Sequence, residues 1–223
     1  MSPEDQLKLE RWLIHEIATC VDIPEIILDQ EELIKEGVIY GSTPTTTGPR
    51  LHEVCEEHGV RSVDGLNKKD PNIFIEQVWV PNVEDGKDFV GELKRKGPER
   101  GYKYAINASK LHVNGWKGKH YMSFFEQVIR KPYVKGICFN TDKGYEYSDG
   151  CVQEFLLGLR MEKELRNRGY SLMRPDEEAE RIWAAIEDLD RRGFNPEKLT
   201  DFHREIRLYL PKSFYFSQSK SPF

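Results

Sequence analysis

Apolar residues in the first part of the chain recur at helical spacing. One amphipathic helix is predicted over residues 3–20, and a second starts near Pro24 and ends at Gly37, since glycine favours the left-handed cap that closes a helix. Residues 38–40 form a short apolar run that predicts a strand. Because helical patterns dominate, we expect residues 1–66 to form a mainly helical N-terminal extension.

From residue 67 onwards, strand-like apolar runs alternate with helical patterns. Strands are predicted at residues 73–81, 102–106, 133–139 and 170–173, and helices at residues 87–95, 119–130, 149–166 and 175–191. Alternation of this kind needs right-handed crossovers and gives a mostly parallel sheet with helices on both faces. We therefore predict a doubly wound α/β core over residues 67–192.

Residues 193–223 are predicted to form a short C-terminal helix followed by an aromatic tail. The tail contains Phe214, Tyr215, Phe216 and Phe223 among serine, lysine and proline residues. This density of aromatic side chains is unusual for a solvated end. We expect the tail to dock, for example on a second subunit of a homo-oligomer.

Composition limits the classes of partner. The 223 residues carry a formal net charge of -5, whereas proteins that bind duplex nucleic acid usually present a broad basic surface. The chain has no apolar run long enough for a membrane span, and its acidic N-terminus is unlike a secretory signal. The four cysteines lack paired spacing, which favours reduced thiols. We expect a cytoplasmic protein that binds a small molecule, and neither duplex nucleic acid nor a membrane.

Asparagine residues follow two of the predicted strands. Asn82 comes after the first core strand, and Asn107 comes after the second. Ligands of open α/β sheets bind beyond the carboxyl ends of the strands. We therefore expect both side chains to contact the substrate.

Glu154 is the most informative residue of the chain. Between residues 151 and 159 it is the only ionisable side chain besides the thiol of Cys151, in an otherwise apolar helix opening. A carboxylate among apolar neighbours needs a partner or has its pKa raised, and either state is useful to an enzyme. The structural alternative is an acid that stabilises a helix start through the helix dipole. Cys151, near the same helix start, could have a lowered thiol pKa.

Ser148 and Asp149 precede Glu154, and both are good helix N-caps. If Asp149 does not cap the helix, it is a second carboxylate close to Glu154. A pair of carboxylates suits cleavage of an N-glycosidic bond, in which positive charge develops on the sugar ring. One group stabilises or attacks the anomeric carbon, and the other orients or protonates the leaving base.

Aromatic residues along the same part of the chain suit a flat ligand. Trp116, Tyr121 and Tyr147 are candidates to stack on a nucleobase, a contact that contributes about 1 to 3 kcal/mol per base. Each of them alone is also compatible with an ordinary core or surface position.

Four motifs carry a resemblance to a known family. They are residues 105–111, 116–129, 136–139 and, above all, 147–154, which end in Gly150-Cys151-Val152-Gln153-Glu154. These motifs resemble the nucleoside 2-deoxyribosyltransferase-like superfamily, whose members transfer or hydrolyse N-glycosidic bonds of nucleosides and nucleotides.

The resemblance implies a small flavodoxin-like core, with Glu154 at the position of the family's nucleophile. Asp149 is nearest to an aspartate that binds the base or sugar in the family. Relatives often complete their pockets with residues of a neighbouring subunit, which implies a homo-oligomer. One departure is that the family's first core strand commonly ends in a Gly-Pro loop with an aromatic residue, whereas residues 78–82 stand there in this chain.

We expect an enzyme that cleaves or transfers an N-glycosidic bond of a nucleoside, nucleotide or related ribosylated small molecule, without a metal or organic cofactor. Glu154 and Asp149 would be catalytic. The substrate would be bound by Ser148, Tyr147, Asn107, Trp116, Tyr121 and Asn82. Two alternatives are a non-catalytic nucleotide-binding sensor on the same fold and a structural or assembly protein.

Overall fold

The computed structural model describes residues 30–110, 118–167, 175–194 and 205–210. Four sequence predictions lie outside these residues. They are the helix at 3–20, the position of Trp116, the strand at 170–173 and the aromatic tail.

Three parallel strands form the sheet of the described chain, in the order β2-β1-β3. Strand β1 is Val38–Ser42, β2 is Tyr104–Asn107 and β3 is Val134–Phe139. The predicted strands at 102–106 and 133–139 are thereby confirmed. Strand β1 lies in the centre, although it belongs to residues 1–66, the segment expected to be a helical extension. The α/β core therefore begins before residue 67.

Helices account for most of the remaining described chain. They are α1 (Gln30–Glu36), α2 (Pro49–Glu57), α3 (Val63–Lys69), α4 (Pro71–Phe74), α5 (Val80–Lys96), α6 (Gly118–Ile129), α7 (Asp149–Arg160), α8 (Glu162–Asn167) and α9 (Pro175–Arg191). No helix in the described ranges is both long and apolar enough to cross a bilayer.

The strand predicted at residues 73–81 is wrong, because this segment is helical. The side chain of Asp70 accepts a hydrogen bond from the backbone N–H of Asn72, and a proline follows Asp70 at the first helical position. A π-helical turn, Ile75–Trp79, then joins α4 to α5. A cap and a proline at the helix start outweigh the β-branched and aromatic residues that favoured a strand. Asn82 consequently lies in a helix and not at the end of a strand.

Helices cover both faces of the sheet, as predicted. On one face, Ile39 and Ala105 pack against Val90 and Leu93 of α5. On the other face, Tyr40 belongs to an apolar cluster that includes side chains of α6 and α7. Side chains alternate between faces along a strand, so neighbouring residues of β1 contact different helices.

Candidate active site at the carboxyl edge of the sheet

Buried polar side chains gather around one end of the sheet. In the described chain eight polar or charged side chains are classed as buried: Ser42, Thr43, Asn82, Asn107, Ser109, Asn140, Ser148 and Glu154. Most of them end a strand, follow one directly or begin the helix after β3, and the others contact these elements. Because burying polar groups is costly without partners, their concentration at one edge marks a candidate site.

Glu154 lies on α7 and faces strand β1. Its side chain is buried, with 6% relative exposure. The Tyr40 hydroxyl donates a hydrogen bond to Oε1 at 2.6 Å, and the Ser42 hydroxyl donates one to Oε2 at 2.5 Å. Tyr40 and Ser42 are two residues apart on β1 and therefore point to the same face. The central strand and α7 together fix the orientation of this carboxyl group.

The environment of Glu154 raises its pKa to about 7. Burial is the main cause, because it penalises the charged form, whereas the hydrogen bonds from Ser42 and Tyr40 act in the opposite direction. Near neutral pH both protonation states are populated. A carboxyl group in this range serves as either an acid or a nucleophilic base.

Ser148 begins α7 but does not cap it through its side chain. Its hydroxyl instead pairs with the Thr47 hydroxyl at 2.9 Å, which ties the start of α7 to the loop after β1. Asp149 lies in the first turn of α7 and is partly exposed. Five residues of helix turn the chain through about 140° beyond one revolution, so Asp149 and Glu154 project in different directions.

Cys151 does not have the lowered pKa that its position suggested. Its side chain is buried, and burial together with the nearby charge of Glu154 raises the thiol pKa to about 12. The influence of the helix start is smaller than the loss of solvent. Cys151 is therefore a neutral thiol in the wall of the site.

Asn107 lies on the opposite face of the sheet from Glu154. It pairs with Gly41 of β1, and a side chain at Gly41 would point at Val90 and Leu93 of α5. Its Oδ1 accepts hydrogen bonds from the backbone N–H of Ser109 at 3.0 Å and from the Ser109 hydroxyl at 2.6 Å. Its Nδ2 is buried without a partner.

Asn82 serves a structural role in the described chain. Its Oδ1 accepts a hydrogen bond from Arg50 Nε at 3.0 Å, and its Nδ2 donates one to the Thr45 carbonyl at 3.0 Å. The first bond attaches α5 to the start of α2, and the second attaches it to the loop after β1. The expected position beyond a strand end is corrected, although Asn82 still borders the site through this loop.

The described aromatic candidates are not brought together. Tyr147 packs against an apolar cluster formed with α2 and α9, and its hydroxyl donates a hydrogen bond to Asp188 at 3.4 Å. Tyr121 packs against the cluster between the sheet and α6. The two rings therefore do not line one wall of a pocket.

A small cavity lies beside Glu154 between α6 and α7. Its volume is about 20 Å³, and its other lining residues are Met122, Glu126, Gln153, Leu157 and Arg160. This volume suits about one water molecule. Within the described ranges, no group of three or more His, Cys, Asp or Glu residues is arranged to hold a metal ion.

Sequence analysis missed Tyr40 and Ser42, the two partners of Glu154. They lie 114 and 112 residues away from it in the chain, so no local motif connects them. An available signal was the apolar run before Ser42, because a short continuous apolar run is typical of a buried parallel strand.

No protein-family model, curated protein or solved structure matches this chain. The geometry of the site must therefore carry any functional assignment.

Proposed function

We propose that this protein cleaves or transfers the N-glycosidic bond of a nucleoside or nucleotide, with Glu154 as the nucleophile. The observation that carries the proposal is the buried Glu154 carboxyl group, held by the Tyr40 and Ser42 hydroxyls at the carboxyl edge of a parallel sheet. Such a group is costly to bury, and a chemical role explains why it is there.

The strand order favours a ligand site at this edge. The order β2-β1-β3 corresponds to the first three strands of a flavodoxin-like sheet, in which ligands bind where the strand order reverses. Here the reversal lies between β1 and β3. Asn140 follows β3 directly, and its backbone N–H donates to the Ser42 carbonyl at 2.9 Å. Glu154 and its partner Ser42 border this position.

The resemblance to nucleoside 2-deoxyribosyltransferases gains support from the loop after β1. The first strand of the sheet is β1, and Pro44 and the pair Gly48-Pro49 follow it. Gly48-Pro49 therefore supplies a Gly-Pro pair after the first strand, but residues 43–49 contain no aromatic residue, so the departure inferred from residues 78–82 is only partly removed. The proposal rests on this likeness of motif and position together with the Glu154 geometry.

The reaction would proceed in two balanced steps. A carboxylate oxygen of Glu154 bonds to the anomeric carbon as the carbon–nitrogen bond breaks, and the electron pair of that bond leaves with the base, which takes a proton from solvent. Water, or a second base in a transferase, then attacks the anomeric carbon of the sugar ester. The bond to Glu154 breaks, the attacking group loses a proton, and the carboxylate is restored.

The test incubates the protein with nucleosides, nucleoside monophosphates or NAD and measures the free base that is released by chromatography. The wild-type protein should release base from at least one of these substrates, and Glu154→Gln should lower the rate at least about 1,000-fold, because an amide is a poor nucleophile. Glutamine keeps the shape of the side chain and both hydroxyl partners, so the fold should persist.

Glu178→Gln is the matched control. Glu178 is a partly buried carboxyl group that also accepts a hydrogen bond from a tyrosine, Tyr145, and it lies on α9, where its other described partner is Arg181. The rate of base release by Glu178→Gln should remain within about twofold of the wild-type rate. Undiminished base release by Glu154→Gln would refute the mechanism. A rise in melting temperature with nucleotide, without base release, would favour the sensor.

A further inference from the structure

Three buried side chains lie between Glu154 and the loop after β1. They are Ser42 at the end of β1, and Ser148 and Cys151 at the start of α7. The Ser42 hydroxyl contacts Glu154 Oε2 at 2.5 Å, and the Ser148 hydroxyl contacts the Thr47 hydroxyl at 2.9 Å. The Cys151 thiol interacts with both serine hydroxyls. The five groups therefore form one continuous series from the half-buried Thr47 to the carboxyl group.

The supply of hydrogens fixes the direction of each hydrogen bond in this series. An ionised carboxyl group only accepts, so Ser42 donates its one hydrogen to Glu154 and accepts from Cys151. The thiol keeps its hydrogen at neutral pH, because burial raises its pKa to about 12. Cys151 donates that hydrogen to Ser42 and therefore accepts from Ser148. Ser148 in turn accepts from Thr47, which makes Thr47 the donor of that pair.

The ionised form of Glu154 selects this arrangement of the series. Reversal of any one member would leave two hydrogens or two lone pairs facing each other, and a buried polar contact without a hydrogen bond is costly. Every hydrogen consequently points towards the carboxylate. Each donor polarises the next one, which strengthens the final bond from Ser42.

We infer that Cys151 is a positioning residue that, together with Ser148 and Thr47, holds the Ser42 hydroxyl as a donor to the ionised Glu154. Its importance for catalysis rests on the proposed function, because it acts on the form of Glu154 that attacks the sugar. A thiol offers one donor and one acceptor, as this place in the series requires, whereas an aliphatic side chain would interrupt the series.

Other titratable groups also face this part of the site. Tyr40 of β1 donates to the other oxygen of Glu154. Glu126 of α6 and Arg160 of α7 line the small cavity beside it, and Glu146, in the turn before α7, acts on the thiol and raises its pKa. These groups are unchanged in the variants below, so a difference between variants reports on the series itself.

The ionisation midpoint of Glu154 is the direct readout, measured by NMR titration of its carboxyl carbon in the protein without substrate. The signal is assigned by its absence in Glu154→Gln. Cys151→Ala should raise the midpoint by about half a pH unit, because the Ser42 bond survives but loses its support. Cys151→Ser keeps one donor and one acceptor and should stay within about 0.2 unit of wild type.

Cys55→Ala is the matched control. Cys55 is also a buried free cysteine in the same apolar cluster, but it lies on α2, and the charges that act on its thiol are those of Arg61 and Glu56. Its removal should leave the midpoint in place. Equal shifts in both alanine variants, or a serine variant that behaves like Cys151→Ala, would overturn the inference.

Thr47→Val tests the outer end of the series and decides the question if Cys151→Ala fails to fold. It removes the first donor and should raise the midpoint by about 0.2 to 0.3 unit. Thr46→Val, which alters the exposed neighbouring hydroxyl, should not move it. Identical midpoints in the two valine variants would contradict the series.

The titration needs no reaction, so this inference and the proposed function fail separately. A raised midpoint in Cys151→Ala without base release by the wild-type protein would contradict the proposed function and leave the positioning role standing. Base release by Cys151→Ala with the pH profile of wild type would overturn the positioning role alone.

Discussion

Two opposing effects set the charge state of Glu154. Burial raises its pKa to about 7, although the Tyr40 and Ser42 hydroxyls favour the ionised form.

The Glu154 position could be predicted because a lone acid in an apolar helix opening is conspicuous in the sequence. Its partners could not, since Tyr40 and Ser42 become neighbours only when β1 and α7 pack together.

Loss of either hydroxyl should move the pH profile of base release upwards. Tyr40→Phe or Ser42→Ala removes a donor that stabilises the carboxylate, so the ionisation midpoint should rise by about one pH unit. The rate at pH 6 should fall several-fold, whereas the rate at pH 9 should change little. Tyr145→Phe, which alters the Tyr145–Glu178 pair, should leave the profile in place. A profile that does not move in either site variant would contradict the role of these hydroxyls.

The same shift predicts a pH-dependent penalty on stability. Folding raises the pKa of Glu154 from 4.5 to about 7, so between these values the folded protein binds more protons than the unfolded chain. Its free energy of unfolding relative to Glu154→Gln should therefore fall by roughly 3 kcal/mol as the pH rises through this window. Denaturant unfolding of both proteins at pH 4.5 and pH 8 measures the difference. A constant difference would show that Glu154 titrates normally.

At the scale of elements, the strand predicted at residues 73–81 was the main error of the sequence analysis, whereas the helix predicted at residues 87–95 is confirmed within α5. Residues 73–81 are rich in β-branched and aromatic side chains, and this local preference suggested a strand. Asp70 and the proline after it start a helix at this point instead, and a π-helical turn continues it into α5. The strands β2 and β3 were predictable because residues 102–106 and 133–139 are short, mainly apolar segments rich in β-branched and aromatic side chains.

Close packing of α5 on the sheet edge gives a test with an internal control. Gly86→Ala should lower the free energy of unfolding by about 1 to 3 kcal/mol, because its Cβ would collide with Ser109 and Thr43. Gly91→Ala lies on the same helix with nothing within 4 Å of the added Cβ, and it should raise stability by about 0.5 to 1 kcal/mol. Thermal or denaturant unfolding compares them. Equal effects of the two substitutions would contradict the packing of α5.

At the scale of the whole molecule, the sheet joins parts of the chain that looked separate. Strand β1 pairs with both β2 and β3, so it supplies the centre of the sheet and both partners of Glu154. The alternation of strands and helices predicted the α/β class. The position of β1 was not predictable from its local sequence, because strand order depends on pairing across long loops.

Removal of residues 1–66 should therefore abolish the fold. A chain of residues 67–223 lacks β1, which leaves β2 and β3 without a shared neighbour and exposes apolar side chains on both faces. It should unfold without a cooperative transition when followed by circular dichroism, in contrast to the full chain. Cooperative unfolding of the shortened chain would mean that residues 67–192 form a core of their own.

Covalent attachment of the sugar to Glu154 is the central claim, and acid-quenched mass spectrometry tests it most directly. A 2′-fluoro substituent slows both steps, because fluorine destabilises the positive charge that develops on the sugar in each, so the sugar ester persists once it has formed. After brief incubation, the wild-type protein should gain the mass of the sugar, with the adduct on the peptide that contains Glu154, and Glu154→Gln should gain nothing. Base release without this adduct, or an adduct on another residue, would contradict the account.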